Sequence, residues 1–185
     1  MEVTVNDSIA NIAPQAWNAL AGNAWPFLRH EFLLAAETSG SVTPDAGWAP
    51  RHLAIYDGNH LRAAMPLYQK DHSWGEFVFD WAWARAYEQA GLPYYPKLVS
   101  AIPFTPAPSR RLLLADPGDK EGAIALVHGA VTLANETNCS SVHLLFPGPA
   151  EIDLLREAGL HIRKDCPFHW HNDGYADFDA LLATF

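Results

Sequence analysis

Residues 51–70, RHLAIYDGNHLRAAMPLYQK, constrain the fold more than any other stretch: two apolar runs meet across an Asp-Gly dipeptide. That dipeptide supplies the positive-φ turn a two-residue β-hairpin needs, so an antiparallel pair is predicted here. Pro66 stands inside the second arm and has no N–H for a ladder, which marks an edge or a bulge.

Around this hairpin the pattern changes period. VTVND reads as a short opening strand, and PQAWNALAG as a helix begun by Pro14 and ended by Gly22. A second helix is expected over residues 28–38. EFVFD (76–80) alternates as a strand and runs into the helical WAWARAYEQAGL, which Gly91 stops. KLVSA, RLLLA and SVHLLF read as further strands, and LHIRK with FHWH as one or two last ones. The strongest helix covers 120–138, with Ala123, Leu126, Val127, Ala130, Val131 and Ala134 on one face. PAEIDLLREAG is another helix, and Phe178, Leu181, Leu182 and Phe185 start a last one. A hairpin followed by alternating strands and helices predicts an α/β (α+β mixed) fold: a mixed, mainly antiparallel sheet with helices on both faces.

At 185 residues, a single domain spanning 1–185 is expected. The final apolar face stops without a capping signal, which suggests truncation before a second module. No apolar run approaches a membrane span, and the acidic MEVTVNDSIA start is unlike a secretory leader. With two cysteines, Cys139 and Cys166, the chain reads as a reduced, cytoplasmic protein. A formal charge of −9 with no basic cluster beyond Arg110-Arg111 argues against nucleic acid as a partner of this chain alone.

The aromatic residues concentrate in 74–104 and 168–178, which suggests a lined cleft. In HSWGEFVFDWAWARAY, Glu76 and Asp80 are candidate general bases, because nearby indoles lower the local dielectric and raise a carboxyl pKa. The competing structural role for Asp80 is the cap of the following helix. Trp81, Trp83, Tyr94, Tyr95, Lys97, Phe104, His169 and Asn172 are candidate cleft residues for a small-molecule or peptide-like substrate. In the loop IPFTPAPSRR, Thr105, Ser109, Arg110 and Arg111 are candidates to hold an anionic donor group, or else decorate a stiff surface loop. His169 and His171 share a strand face near Cys166, but the spacing completes no zinc ligand set, so no metal is expected. GxSxG and CxxC are absent, which leaves hydrolase and redox readings unsupported.

Several long segments carry a resemblance: PFLRHEFLLAAETSG, AAMPLYQKDHSWGEFVFDWAWARAY, YYPKL with PFTP, SSVHLLF, and FHWHNDGYADFDALL. They resemble bacterial Fem-like peptidoglycan biosynthesis or recognition proteins of the GNAT acyltransferase superfamily. The resemblance implies a GNAT fold whose central strands splay around a ligand, with a second similar module following this one. It implies N-acyl or aminoacyl transfer to an amine of a cell-wall precursor; the alternative is a non-catalytic module that binds a peptidoglycan-like or peptide ligand. It also places residues 97–122 where a GNAT enzyme holds the pyrophosphate of acyl-CoA. The usual Q/R-x-x-G-x-G/A run is replaced there by TPAPSRR, so the cofactor stays open. A homodimer and docking to the second module are the alternatives for assembly.

Overall fold

The computed structural model describes residues 2–78, 80–164 and 171–185. Its frame is the expected hairpin, longer than the sequence suggests. Strands β2 (Ala49–Pro50) and β3 (His52–Asp57) form one arm; β4 (His60–Met65) and β5 (Tyr68–Lys70) form the other. The register is constant from Ala49 opposite Gln69 to Ile55 opposite Ala63, and it shifts by one residue between Ile55 and Tyr56, next to the turn. The arms nevertheless split into two sheets at Arg51 and Leu67. Pro66 has no N–H, and the N–H of Leu67 donates to His52 Nδ1 at 3.3 Å. One main-chain to main-chain bond, from the N–H of Arg51 to the carbonyl of Leu67 at 2.8 Å, also joins the arms at the break.

The first sheet has the order β1–β3–β4–β7, all antiparallel, where β1 is Val3–Asn6 and β7 is Leu113–Leu114. The second has the order β2–β5–β6–β8, with β6 Lys97–Ser100 and β8 Val142–Leu144 parallel to each other. The two sheets thus share one hairpin, which contributes two neighbouring strands to each.

Helices cover the first sheet on both faces. Helix α1 (Pro14–Ala21) and α2 (His30–Thr38), with the single turn Pro26–Leu28 between them, bury Trp17, Leu20, Leu28 and Leu33 against Ala54, Leu61 and Ala64. On the opposite face α4 (Lys120–Glu136) buries Ala123, Leu126, Val127 and Ala130 against Leu53, Ile55, Ala63 and Met65. Because both faces are covered, β3 and β4 read as near-continuous apolar runs. Helix α4 starts with Asp119, which accepts from the N–H of Gly122 at 3.0 Å. Its buried face turns slightly from the expected one: Leu133 is buried and Val131 is 41% exposed. Two short helices, α5 (Ile152–Glu157) and α6 (Phe178–Leu182), follow.

Two expected strands are absent. Residues 160–164 form none; Leu160 and Ile162 pack instead against the α4 core as irregular chain. FHWH falls largely outside the described residues. Residues 76–78 and 80, the described part of EFVFD, also form no strand, for reasons that belong to the site. Among the described residues no helix is long and apolar enough to cross a membrane.

Candidate functional site

The site forms where β5 and β6 leave the hairpin break. Between β5 and helix α3 (Trp81–Gln89) the chain turns back on itself at Gly75 (φ 79°) and Phe77 (φ 57°). A Cβ on Gly75 would come within 2.6 Å of the Phe104 ring, so only glycine fits this close approach. The two left-handed residues break the alternation of EFVFD and turn Glu76 and Asp80 inward, each 3% exposed. This is why the expected strand is not made.

Both carboxylates meet the ammonium of Lys97, the first residue of β6. Lys97 Nζ lies 2.8 Å from Glu76 Oε2, 2.5 Å from Asp80 Oδ2 and 2.8 Å from Ser73 Oγ. Tyr94 donates its hydroxyl to Asp80 Oδ2 at 2.7 Å, and the Tyr95 hydroxyl sits 2.7 Å from Ser73 Oγ. The rings of Tyr94 and Tyr95 flank Nζ at 5.2 and 5.6 Å. Asp80 occupies the N-cap position of α3, yet its side chain makes no capping bond. The capping role weighed from sequence is therefore corrected: the stronger pull of a buried cation takes the carboxylate inward.

Buried charges without full compensation shift their proton affinities. Burial raises the pKa of Glu76, and Lys97 offsets this only partly. Burial would raise Asp80 as well, but hydrogen bonds from Lys97 and Tyr94 outweigh it and leave Asp80 below its usual range. Glu76 Oε1 and Asp80 Oδ1 are buried and have no hydrogen-bond partner among the described residues. Two carboxylates in one cluster are thus pushed in opposite directions, the arrangement that separates proton acceptor from fixed anion. Nearby, burial pushes Lys70 down to about 7; its Nζ lies 3.6 Å from the centre of the Trp48 ring and donates to the carbonyl of Trp74 at 3.1 Å. Burial, with Lys97 adding to it, pushes His143 on β8 down to about 4, and His143 Nε2 pairs with Ser141 Oγ at 2.8 Å.

On the outer side of the network a cleft of about 580 Å³ opens. One wall is the α3 face carrying Trp81, Ala84, Arg85 and Glu88, which recur at helical spacing; the other is Leu92–Tyr95. Its volume is that of a small-molecule site. Tyr94 and Tyr95 line the cleft and also bond to the buried cluster, so they connect the two.

The other candidates fall elsewhere. Trp83 is exposed on α3 but is not part of the cleft wall. Phe104 packs on Trp48, ring centres 5.6 Å apart. Thr105 donates to the carbonyl of Pro103, and exposed Asn172 accepts from the N–H groups of Gly174 and Tyr175 in a local turn. His169 and Cys166 lie outside the described residues. The expectation that Arg110 and Arg111 face an anionic donor is corrected. Arg110 donates to the carbonyls of Leu20 and Ala21 at the end of α1. Arg111 is fully buried and donates to Ser109 Oγ and to the carbonyls of Leu145, Arg110 and Ala107. Peptide N–H groups of the same region are also closed: those of Arg111, Leu112 and Gly148 all donate to Glu151 at 2.7–2.8 Å. Sequence reasoning missed Ser73, Lys70 and Glu151. Only the charges of Lys70 and Lys97 at the ends of apolar strands hinted at a buried cluster.

A solved structure of an aminoglycoside antibiotic 6'-N-acetyltransferase from Acinetobacter haemolyticus, without ligand, is similar over 93% of this chain and 99% of that one. The TM-score is 0.53 at 12% identity, which makes the likeness one of fold, and that fold is GNAT. No curated protein matches the chain. The profile of the FemAB-like family, described as peptidoglycan biosynthesis/recognition, matches residues 8–185. With nearly its whole length matched, the chain belongs to the FemAB-like family.

Proposed function

We propose that the chain transfers an acyl or aminoacyl group to an amine of a peptidoglycan precursor in the cytoplasm, with the amine held in the cleft beside α3. The carrying observation is the hydrogen-bonded path from Tyr95 at the cleft, through Ser73 and Lys97, to Glu76 and Asp80. An attacking amine must lose a proton, and the acceptor works best when its pKa approaches the operating pH. Glu76, with its raised pKa and unpartnered Oε1, suits that role. Lys97 passes a proton to Glu76 and is recharged from Ser73, which takes one from Tyr95; Tyr95 takes the proton of the amine. The leaving group recovers the proton when the donor bond breaks. Asp80 stays ionised and holds Lys97 and Tyr94 in place.

Mass spectrometry of an amine-bearing muropeptide, incubated with acyl and aminoacyl donors, tests this. Glu76→Gln should lower product formation by about 10²–10⁴-fold, the usual worth of a general base. An unchanged rate removes Glu76 from the mechanism.

A second reading, a binding module without chemistry, is favoured by the closed loop at 103–112. There is no glycine between Gly91 and Gly118, and Glu151 already occupies the peptide N–H groups of Arg111, Leu112 and Gly148. Calorimetric titration with acetyl-CoA separates the readings: the binding module gives no heat.

A further inference from the structure

We propose that the indoles of Trp74 and Trp81, with the adjoining cleft, form a saccharide platform, so that the ligand carries a sugar ring next to the group that reaches Tyr95. The inference deepens the proposed function and rests on it for the position of the reacting amine.

The chain buries Trp17 and Trp48 completely, yet leaves Trp74 68% and Trp81 40% exposed. These two rings pack edge to face, 5.6 Å apart, as an angled pair open to solvent. They do not hang from a loose loop. The carbonyl of Trp74 accepts from buried Lys70 at 3.1 Å and its N–H donates to His72 Nδ1 at 3.2 Å. A ring exposed to solvent on a main chain fixed from below is pre-organised for a ligand, which lowers the ordering cost of binding.

The chemistry of the surround selects the occupant. A pyranose ring has an apolar C–H face that stacks on an indole, and a rim of hydroxyls that need donors and acceptors. Arg85 and Glu88, on the same wall of the cleft as Trp81, supply one donor fork and one acceptor. Trp and Arg also serve at protein contacts, an occupant that sedimentation of the two variants distinguishes. A polyanion is opposed by the formal charge of −9.

The test is calorimetry on the full chain with a tetramer of N-acetylglucosamine, and separately with a stem peptide free of sugar. The tetramer should bind, and Trp74→Ala and Trp81→Ala should each weaken it at least tenfold with the urea midpoint nearly unchanged. Binding of the peptide but not the tetramer overturns the proposal, and so does tetramer binding that survives both substitutions. Sedimentation provides a further check: a dimer that both substitutions dissolve would assign the rings to self-association and overturn it too. Glu76→Gln should keep tetramer affinity, so loss of the transfer reading and loss of the saccharide reading give different results.

Discussion

Lys97 and Asp80 form a buried ion pair at 2.5 Å that is 17 residues apart in sequence and joins the first residue of β6 to the N-cap position of α3. Glu76 shares the same ammonium at 2.8 Å, so two carboxylates bond to one ammonium, with the charge of Lys70 also acting on Glu76. Removing Lys97 leaves both carboxylates buried without that partner. Lys97→Met should destabilise the fold by about 3–5 kcal/mol at neutral pH, read from urea unfolding.

The two carboxylates give opposite pH signatures. Glu76 has a folded pKa above its usual 4.5, so the folded state binds the proton more tightly than the unfolded one. Its effect is a loss of stability as pH rises from 4.5 through the folded value. Asp80 has a folded pKa below its usual 3.8, so its contribution is present above 3.8 and disappears as pH falls further. Urea midpoints across pH 3–7 check both signs (roughly the range of carboxyl titration): Glu76→Gln should remove the first slope, and Asp80→Asn the second.

Tyr95→Phe keeps the ring in the cleft wall and removes the hydroxyl that reaches Ser73. If that hydroxyl relays the proton, kcat should fall by about 10²-fold while KM changes little, in line with the worth of a positioned proton carrier. A fall in affinity with kcat preserved would assign Tyr95 to binding alone.

Arg111→Lys should be costly despite the conserved charge. The guanidinium reaches Leu145, Ala107, Arg110 and Ser109 at once, and a lysine ammonium has no such fork. At least two of those acceptors lose their donor in the interior, so the expected loss is about 2–4 kcal/mol, measured by denaturant titration.

Gly75→Ala should cost at least about 1–2 kcal/mol, because φ of 79° disfavours a side chain and the new Cβ would meet the Phe104 ring at 2.6 Å. A double variant with Phe104→Ala should recover part of that loss, which separates the steric component from the backbone component.

The hairpin, α1 and α4 were legible in the sequence because each obeys one local period with its own start and stop residues. The break of the hairpin into two sheets was legible only as Pro66; that His52 would capture the N–H of Leu67 depends on a tertiary contact. At the site, Glu76, Asp80, Tyr94, Tyr95 and Lys97 were each named from aromatic surroundings and charge. Their union around one ammonium was not readable, since no periodicity links residue 97 to residues 73–80. EFVFD misled for a related reason: its alternation is real and puts Glu76 and Asp80 on one side, but Gly75 and Phe77 deny it a ladder. Arg110 and Arg111 misled because charge reads as surface, whereas both guanidiniums hold main-chain carbonyls together.

Helix α3 buries none of its nine residues. Such an element is tethered at its start and along one rim, leaving the rest of its surface independent of the interior. Substitutions there would change what the cleft admits while the hydrophobic layers stay intact, so related chains could diverge in ligand choice through this helix without a matching loss of thermal tolerance.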